Sequence, residues 1–491
     1  YYFFDQNYEH QYEGYINSLK ELLLLLKQNI ETQGLIREVF EQLLKDIPDY
    51  QVFLTPEELD QSSRDLEKSY PDIVSLFEMG KTKNGAPLLC LKIGSGSQNA
   101  LMFGCPHPNE PIGTMMLEYL TRALCENDAL RGELDYTWYI VKAWDRDGLE
   151  LNEKWLKGPY TLYNYSRNFF RPAGHKQVDW TFPIDYKDLH FHAPIPETQA
   201  MMKLIEEIKP RFIYSLHNAG FGGAYWYITD PTPDLYDEMR LTAKQVDVPL
   251  HLGEPEAPYC KQLSPAIYGM LGIRENYDYL EQYGHPNIAD TIKVGTSSSD
   301  FAKGVCNAFT LLTELPYFYD QRINDLSDAD ITRAQAALES LDWHEQANQT
   351  VRDTLGISKE YMDADNPFLL ALEAFSEDHG DDATRKMIET NPEFAKTATV
   401  AEKFDNLTLT KFYQSLSYGM LVRANETELE KMKTQGGTDL ARRKALEKAY
   451  AKAILLHQEL VEWLESEIHY QVVPIRKLVY IQLANGLLYA D

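Results

Sequence analysis

A chain of 491 residues with 44% hydrophobic and 12% aromatic content is long enough for two or three globular units and too apolar for a disordered polymer. Its formal net charge of −28 argues against nucleic acid or an anionic membrane surface as a partner. The five cysteines are odd in number, widely spaced and without a CxxC pair. That excludes a disulfide framework and a cysteine zinc site, and points to a reducing, cytoplasmic setting. The opening YYFFDQNYEH lacks the basic-then-apolar pattern of a secretory leader. No apolar run approaches the roughly 20 residues of a membrane-spanning helix.

In chain order, residues 1–70 read as helical. LKELLLLLKQNI and GLIREVFEQLLKDI carry apolar stripes at helical spacing, and Thr55-Pro56 reads as an N-cap followed by proline at the first helical position. From 71 to 325 the texture alternates. The runs APLLCLKI, ALMFGC, TWYIVKAW, RFIYSLHN, YWYIT and AFTLLTEL read as strands, with helical intervals at PIGTMMLEYLTRAL and PETQAMMKLIEEI. Strands separated by helices predict an α/β fold, a mixed and mostly parallel sheet with helices on both faces. Residues 326–491 return to long amphipathic helices, expected to form a C-terminal helical domain, with a loop at Gln435-Gly436-Gly437. The two helical ends are expected to pack together around the α/β block.

Chemistry concentrates in the middle block. NALMFGCPHPNEPIG is an apolar strand that breaks at Gly104 and Pro106, presents His107 and Glu110, then turns helical. An imidazole and a carboxylate three residues apart on the turn after a strand sit where open α/β sheets bind ligands, and both can reach one divalent metal. The spacing alone is weak, because His10 and Glu13 repeat it in a polar segment. RFIYSLHN ends a second strand in His217, completing a His/Glu/His set that suits catalytic zinc and leaves a position for water. Cys105 is expected to be buried and not a ligand. AFTLLTEL ends a third strand in Glu314, a candidate general base with a raised pKa. YSRNFFRPAG carries Arg167 beside Asn168, and a guanidinium there suits a substrate carboxylate.

The order HPNE, RNFF, SLHN, FTLLTEL resembles the zinc metallocarboxypeptidases of the carboxypeptidase A and T type over about residues 71–325. The resemblance implies Zn2+ held by His107, Glu110 and His217, Glu314 as general base, and Arg167 with Asn168 as anchor for a free carboxylate. Asp147-Gly148 is similar to the family's Asp-Gly turn, and Gly295–Phe301 to its side-chain pocket loop, with Ser299 at the position that sets preference. There are departures. Ser166 replaces the Asn before the anchoring Arg, and Asn164 replaces an Asp that orients a zinc histidine. Leu156 and Lys157 stand where an Arg that polarises the carbonyl is expected, leaving Lys157 or Arg146 as substitutes. Ile292 stands at the mobile-loop Tyr position, with Tyr277, Tyr279 and Tyr283 as replacements.

These features lead to three readings. The first is zinc-dependent hydrolysis of a peptide bond next to a free C-terminal carboxylate. The second is a zinc amidohydrolase acting on N-acyl amino acids, of the aspartoacylase and succinylglutamate desuccinylase kind, which HPNEPIG also resembles. The third is an inactive peptide-binding relative; the intact ligand set and Glu314 count against it. His175, His190 and His192 lie on a Pro-rich aromatic stretch expected to be solvent-exposed loop.

Overall fold

The computed structural model describes residues 32–377, 382–436 and 438–490. The leucine-rich run at 19–30, the second HxxE at 10–13, His379 and Gly437 lie outside the described residues. A nine-stranded sheet organises the rest, in the order β1-β2-β4-β3-β7-β11-β8-β10-β9. The strands are β1 (Val74–Lys81), β2 (Pro87–Ile93), β3 (Gln98–Gly104), β4 (Tyr136–Val141), β7 (Phe212–His217), β8 (Tyr225–Ile228), β9 (Gln262–Ser264), β10 (Ile267–Gly269) and β11 (Phe309–Glu314). A separate two-stranded hairpin, β5 (Ile184–Tyr186) with β6 (Leu189–Phe191), lies between β4 and β7 in sequence. All six apolar runs read as strands fall in this sheet. Four central strands, β4-β3-β7-β11, are mutually parallel, and antiparallel pairs flank them. Edge strand β1 and the three-residue strands β9 and β10 were not legible, because short or half-exposed strands carry little alternation.

Alternation along β3 separates two cores. Ala100 and Met102 face one, Leu101 and Phe103 the other. The first is covered by α1 (Thr32–Lys45), α2 (Pro56–Ser69) and α3 (Ile112–Glu126). The second is covered by α6 (Pro196–Ile208) and α7 (Ser298–Cys306). Between them in sequence lie α4 (Arg146–Leu156) and α5 (Leu162–Asn168). The expected cap at α2 forms as a full capping box, Thr55 with Glu58. Gly113 lets α3 press onto the sheet, since a Cβ there would come within 2.4 Å of the Leu216 Cβ.

The long C-terminal helices are α8 (Arg333–Leu355), α9 (Thr410–Thr434), α10 (Leu440–Glu467) and α11 (Ile475–Ala490). They are built into the α/β block. On α11, the Gln482 carbonyl accepts from Tyr214 Oη at 2.9 Å, and Gln482 Nε2 donates to the His217 carbonyl at 3.4 Å. The two helical ends also meet, Arg476 donating to the Lys45 carbonyl at 2.6 Å. Helix α9 crosses α5 so closely that a Cβ on Gly419 would overlap the Ser166 carbonyl. The stretch read as one helix from 401 is interrupted by a π-helical turn at Asp405–Leu409, a distortion that often marks a functional region. Among the described residues no helix is long and apolar enough to cross a membrane, and all five cysteines are free.

One contact between these layers titrates. His457 on α10 is buried, with Nε2 2.8 Å from Ser166 Oγ. Burial, aided by Arg167, pushes its pKa down to about 4. The unfolded chain, titrating near the ordinary histidine value, therefore binds this proton first, and stability falls as pH drops from about 6.5 toward 4. Urea midpoints at pH 7 and pH 5 should show this loss, and His457→Gln should flatten it.

Candidate active site

The site forms where β3, β7 and β11 end. Parallel pairing sets Gly104 against Leu216 and Glu314 against His217, so three segments far apart in sequence terminate at one level. Cys105 adopts a left-handed backbone, φ 54°, and turns the chain off β3 into Pro106-His107. That turn is clasped by the next strand's exit: Trp144 and Asp145 donate their N–H groups to the carbonyls of Gly104 and Cys105 at 3.0 and 2.9 Å. Asp145 also caps α4 by accepting from Gly148 N at 3.0 Å, and burial pushes its carboxyl up to about 7. Gly148 has to be small, because a Cβ would come within 2.5 Å of Pro108. This is the place of the Asp147-Gly148 turn, with Asp147 accepting from Asn84 N at 3.2 Å.

His107, Glu110 and His217 are all buried, and each offers a ligand atom within 4.8 Å of the others. His217 Nδ1 lies 3.0 Å from Glu110 Oε2 and 3.6 Å from Glu314 Oε1, while its Nε2 is held 2.8 Å from Ser215 Oγ and 4.0 Å from Asp179 Oδ2. Ser215 and Asp179 thus occupy the orienting role that Asn164 does not; Asn164 contacts Pro159 and Asn168 instead. His107 keeps a buried Nδ1 without a hydrogen-bond partner. Burial lowers its pKa well below the ordinary value, with Arg171 and His217 adding, so the ring is neutral. Two buried imidazoles, one of them with an unpartnered nitrogen, and one carboxylate fit a zinc ion, which takes N and O donors at about 2.0–2.2 Å. The Cys105 thiol is fully buried, outside this group, and raised well above its ordinary pKa by that burial.

Asn218 ties the two motifs together. Its Oδ1 accepts from Ile112 N at 3.0 Å at the start of α3, and its own N–H donates to Glu110 Oε2 at 3.3 Å. Tyr317, just after β11, donates to the same Oδ1 and to the Asn109 carbonyl at 3.2 and 2.8 Å. Glu314 faces the ligand set, and its carboxyl lies well above the usual range. Burial is the main cause; the Glu110 and Glu256 charges add to it and Arg171 opposes.

A cavity of about 560 Å3 opens over these groups. Ser297, Ser298, Ser299 and Thr310 form part of its lining, and the buried hydroxyls of Ser298 and Thr310 have no partner. Asp179 accepts from Ser298 N at 2.7 Å there. The C-terminal region supplies another wall through Asp405, Tyr413 and Leu416. Among the described residues lining the cavity, Arg171 carries the one permanent positive charge; its Nη1 is 3.2 Å from Glu110 Oε1 and its Nε is 3.4 Å from Gln177 Oε1.

Arg171 displaces Arg167 as the arginine of this site. Arg167 pairs with Glu426 on α9 at 2.9 Å, and Asn168 bonds back to Asn164; neither lines the cavity. The physical reason is the α5–α9 crossing, where Arg423 donates to the Asn168, Phe169 and Leu151 carbonyls and wires this stretch to the C-terminal helices. Arg171 stands in the same RNFFR run, four residues on, and that second arginine was the available signal. Lys157 pairs with Glu58 at 2.6 Å, and Arg146 is held by Glu57, Asp60 and Glu150, so neither reaches the site. Tyr277, Tyr279 and Ile292 are buried in satellite clusters, and Tyr283 packs on Tyr279. The cavity's tyrosines are Tyr165, Tyr225, Tyr227, Tyr268 and Tyr413. Of the other histidines, His251 also lines the wall, bonded to Asp405 at 3.1 Å.

With this geometry in hand, a family model described as zinc carboxypeptidase matches residues 59–322, more than half of the chain. The chain belongs to the zinc carboxypeptidase family. It is similar to carboxypeptidase D of Anas platyrhynchos, 21% identical over 279 residues, covering 52% of this chain and 19% of that protein. It is also similar to carboxypeptidase SOL1 of Arabidopsis thaliana, 25% identical over 210 residues, covering 40% and 39%. The chain therefore spans only a minor part of the length of these relatives. Among solved structures, the carboxypeptidase A of Helicoverpa armigera aligns over 61% of this chain and 72% of its own, at 17% identity and a TM-score of 0.34.

Metal analysis tests the ligand set directly. Protein dialysed against zinc should retain the buried equivalent in Cys105→Ser and lose it in His107→Ala and His217→Ala, as read by atomic emission on folded samples.

Proposed function

We propose that this chain hydrolyses an amide bond adjacent to a free carboxylate, as a metallocarboxypeptidase, with zinc held by His107, Glu110 and His217. The observation that carries this reading is the convergence of those three side chains from two separate strand ends, with Glu314 from a third strand end facing them. When bound, zinc supplies Lewis-acid chemistry, acidifying water and polarising a carbonyl oxygen. Glu314 takes the proton of the attacking water and returns it to the leaving amine as the C–N bond breaks. Its raised proton affinity, from burial beside Glu110 and Glu256, suits that exchange. Arg171, the cavity's permanent cation, holds the substrate carboxylate in place of Arg167. The unpartnered hydroxyls of Ser298 and Thr310, with Ser299 beside them, favour a substrate side chain that can hydrogen-bond over a purely apolar one.

A second reading, deacylation of N-acyl amino acids, is favoured by one feature. Residues of the C-terminal region, Asp405, Tyr413 and Leu416, wall the cavity and reduce the room for a long peptide. Both readings share ligands, base and anchor; they differ in what lies on the acyl side of the bond.

A panel of dipeptides, longer peptides with free or amidated C-termini, and N-acyl amino acids separates them. Turnover of peptides with a free terminus supports the first reading, and turnover of N-acyl amino acids alone supports the second. Zinc uptake with no hydrolysis in the panel overturns both in favour of a binding protein. Glu314→Gln should retain zinc and lower kcat by about 10²–10⁴-fold, the usual worth of a general base. Arg171→Met should raise KM for substrates with a free carboxylate and leave amidated ones unaffected. Arg167→Met should lower the melting temperature with little change in KM.

A further inference from the structure

The β5–β6 hairpin carries a cluster that the hydrolytic site does not use. Its strands pair antiparallel with Asp185 directly opposite His190, and His192 follows His190 by two residues. Residues two apart on an extended chain point to the same side, and so do directly opposed cross-strand residues. Burial follows that alternation. Ile184 and Leu189 are buried in a small core with Ile273, Tyr277 and Ile292, while Asp185, His190 and His192 are exposed on the other side. His190 Nδ1 and His192 Nε2 both approach one atom, Asp185 Oδ1, at 2.7 and 2.9 Å.

We propose that Asp185, His190 and His192 form a second metal site, for a borderline divalent cation such as zinc, copper or nickel. Two imidazole nitrogens and a carboxylate oxygen suit these ions, whereas calcium and magnesium prefer all-oxygen sets. Tetrahedral donors about 2.1 Å from zinc lie about 3.4 Å from one another, so binding requires the two nitrogen–oxygen spacings to open by about 0.5–0.7 Å. More than half of each side chain is solvent-exposed. The hairpin's own cation does not compete for the carboxylate. Lys187 in the turn is engaged by Asp278 at 2.7 Å and Glu281 at 2.6 Å on the neighbouring helix. Three protein donors leave the remaining positions to water.

The hairpin is coupled by packing to the hydrolytic cavity. The Phe191 ring presses on Gly295, where a Cβ would come within 2.6 Å of it, and Phe182 bridges to Thr296. Ser297–Ser299 of the cavity wall follow at once. A cation joining β5 to β6 and the segment after it therefore braces the element on which that wall rests.

Metal-stripped full chain is titrated with Zn2+ alone, and separately with Ni2+ and Mg2+, by calorimetry. Wild type should bind one more zinc equivalent than the His190→Gln/His192→Gln variant, and His107→Ala should keep that extra equivalent. Ni2+ should behave as Zn2+ does, and Mg2+ should give no heat from this site. Cu2+ loaded on the His107→Ala background should show nitrogen superhyperfine structure that the double variant lacks. Asp185→Asn, with an unchanged metal-free melting temperature, should weaken the extra equivalent. The proposal is overturned if wild type and the double variant take up equal zinc, or if Asp185→Asn binds as tightly as wild type. The second outcome reduces the cluster to adventitious surface histidines.

Discussion

Parallel pairing of β3, β7 and β11 is the constraint on which the site depends. The register that opposes His217 to Glu314, and Leu216 to Gly104, brings three chain segments to one edge of the sheet. Side chains along a strand alternate between faces, so a slip of one residue would carry His217 and Glu314 to the wrong side. The two cores prevent such a slip. Ala100 and Met102 on one face, Leu101 and Phe103 on the other, are all fully enclosed, and neither set can be exchanged for the other without repacking both helical layers.

That edge gathers buried charge. Glu110, Asp179 and Glu314 are buried near the imidazoles of His107 and His217, and the permanent cation lining the cavity is Arg171. An uncompensated buried carboxylate is costly, which is why such groups are found paired, protonated or on a metal. Arg171 and the Asn218 backbone offset part of the cost at Glu110, and a divalent ion offsets more. The same burial beside like charge gives Glu314 its affinity for a proton.

Around this edge the C-terminal helices are part of the α/β block. Helix α11 backs the strand that carries His217, α9 crosses α5, and the π-helical turn at Asp405–Leu409 brings Asp405 to His251 and to the cavity wall. The helices cross so tightly that a Cβ on Gly419 would meet the Ser166 carbonyl, and Arg167 beside it turns to Glu426 on α9. Arg167 is paired with Glu426, and the cavity-facing cation is Arg171.

Read from residue order alone, the six core strands, the two helices Ile112–Glu126 and Pro196–Ile208, the converging His107, Glu110 and His217, and the glutamate facing them were accessible. Each rests on local signals: apolar runs broken by Gly or Pro, with a polar ligand at the strand's exit. The arginine, the orienting groups Ser215 and Asp179, the cavity's tyrosines and the integration of the C-terminal helices were decided by tertiary structure. Those depend on which side chains meet once the chain has folded, often across more than a hundred residues, as Arg167 meets Glu426 and Asp179 meets Ser298. Periodicity in a chain encodes which face is buried; it does not encode what that face is buried against.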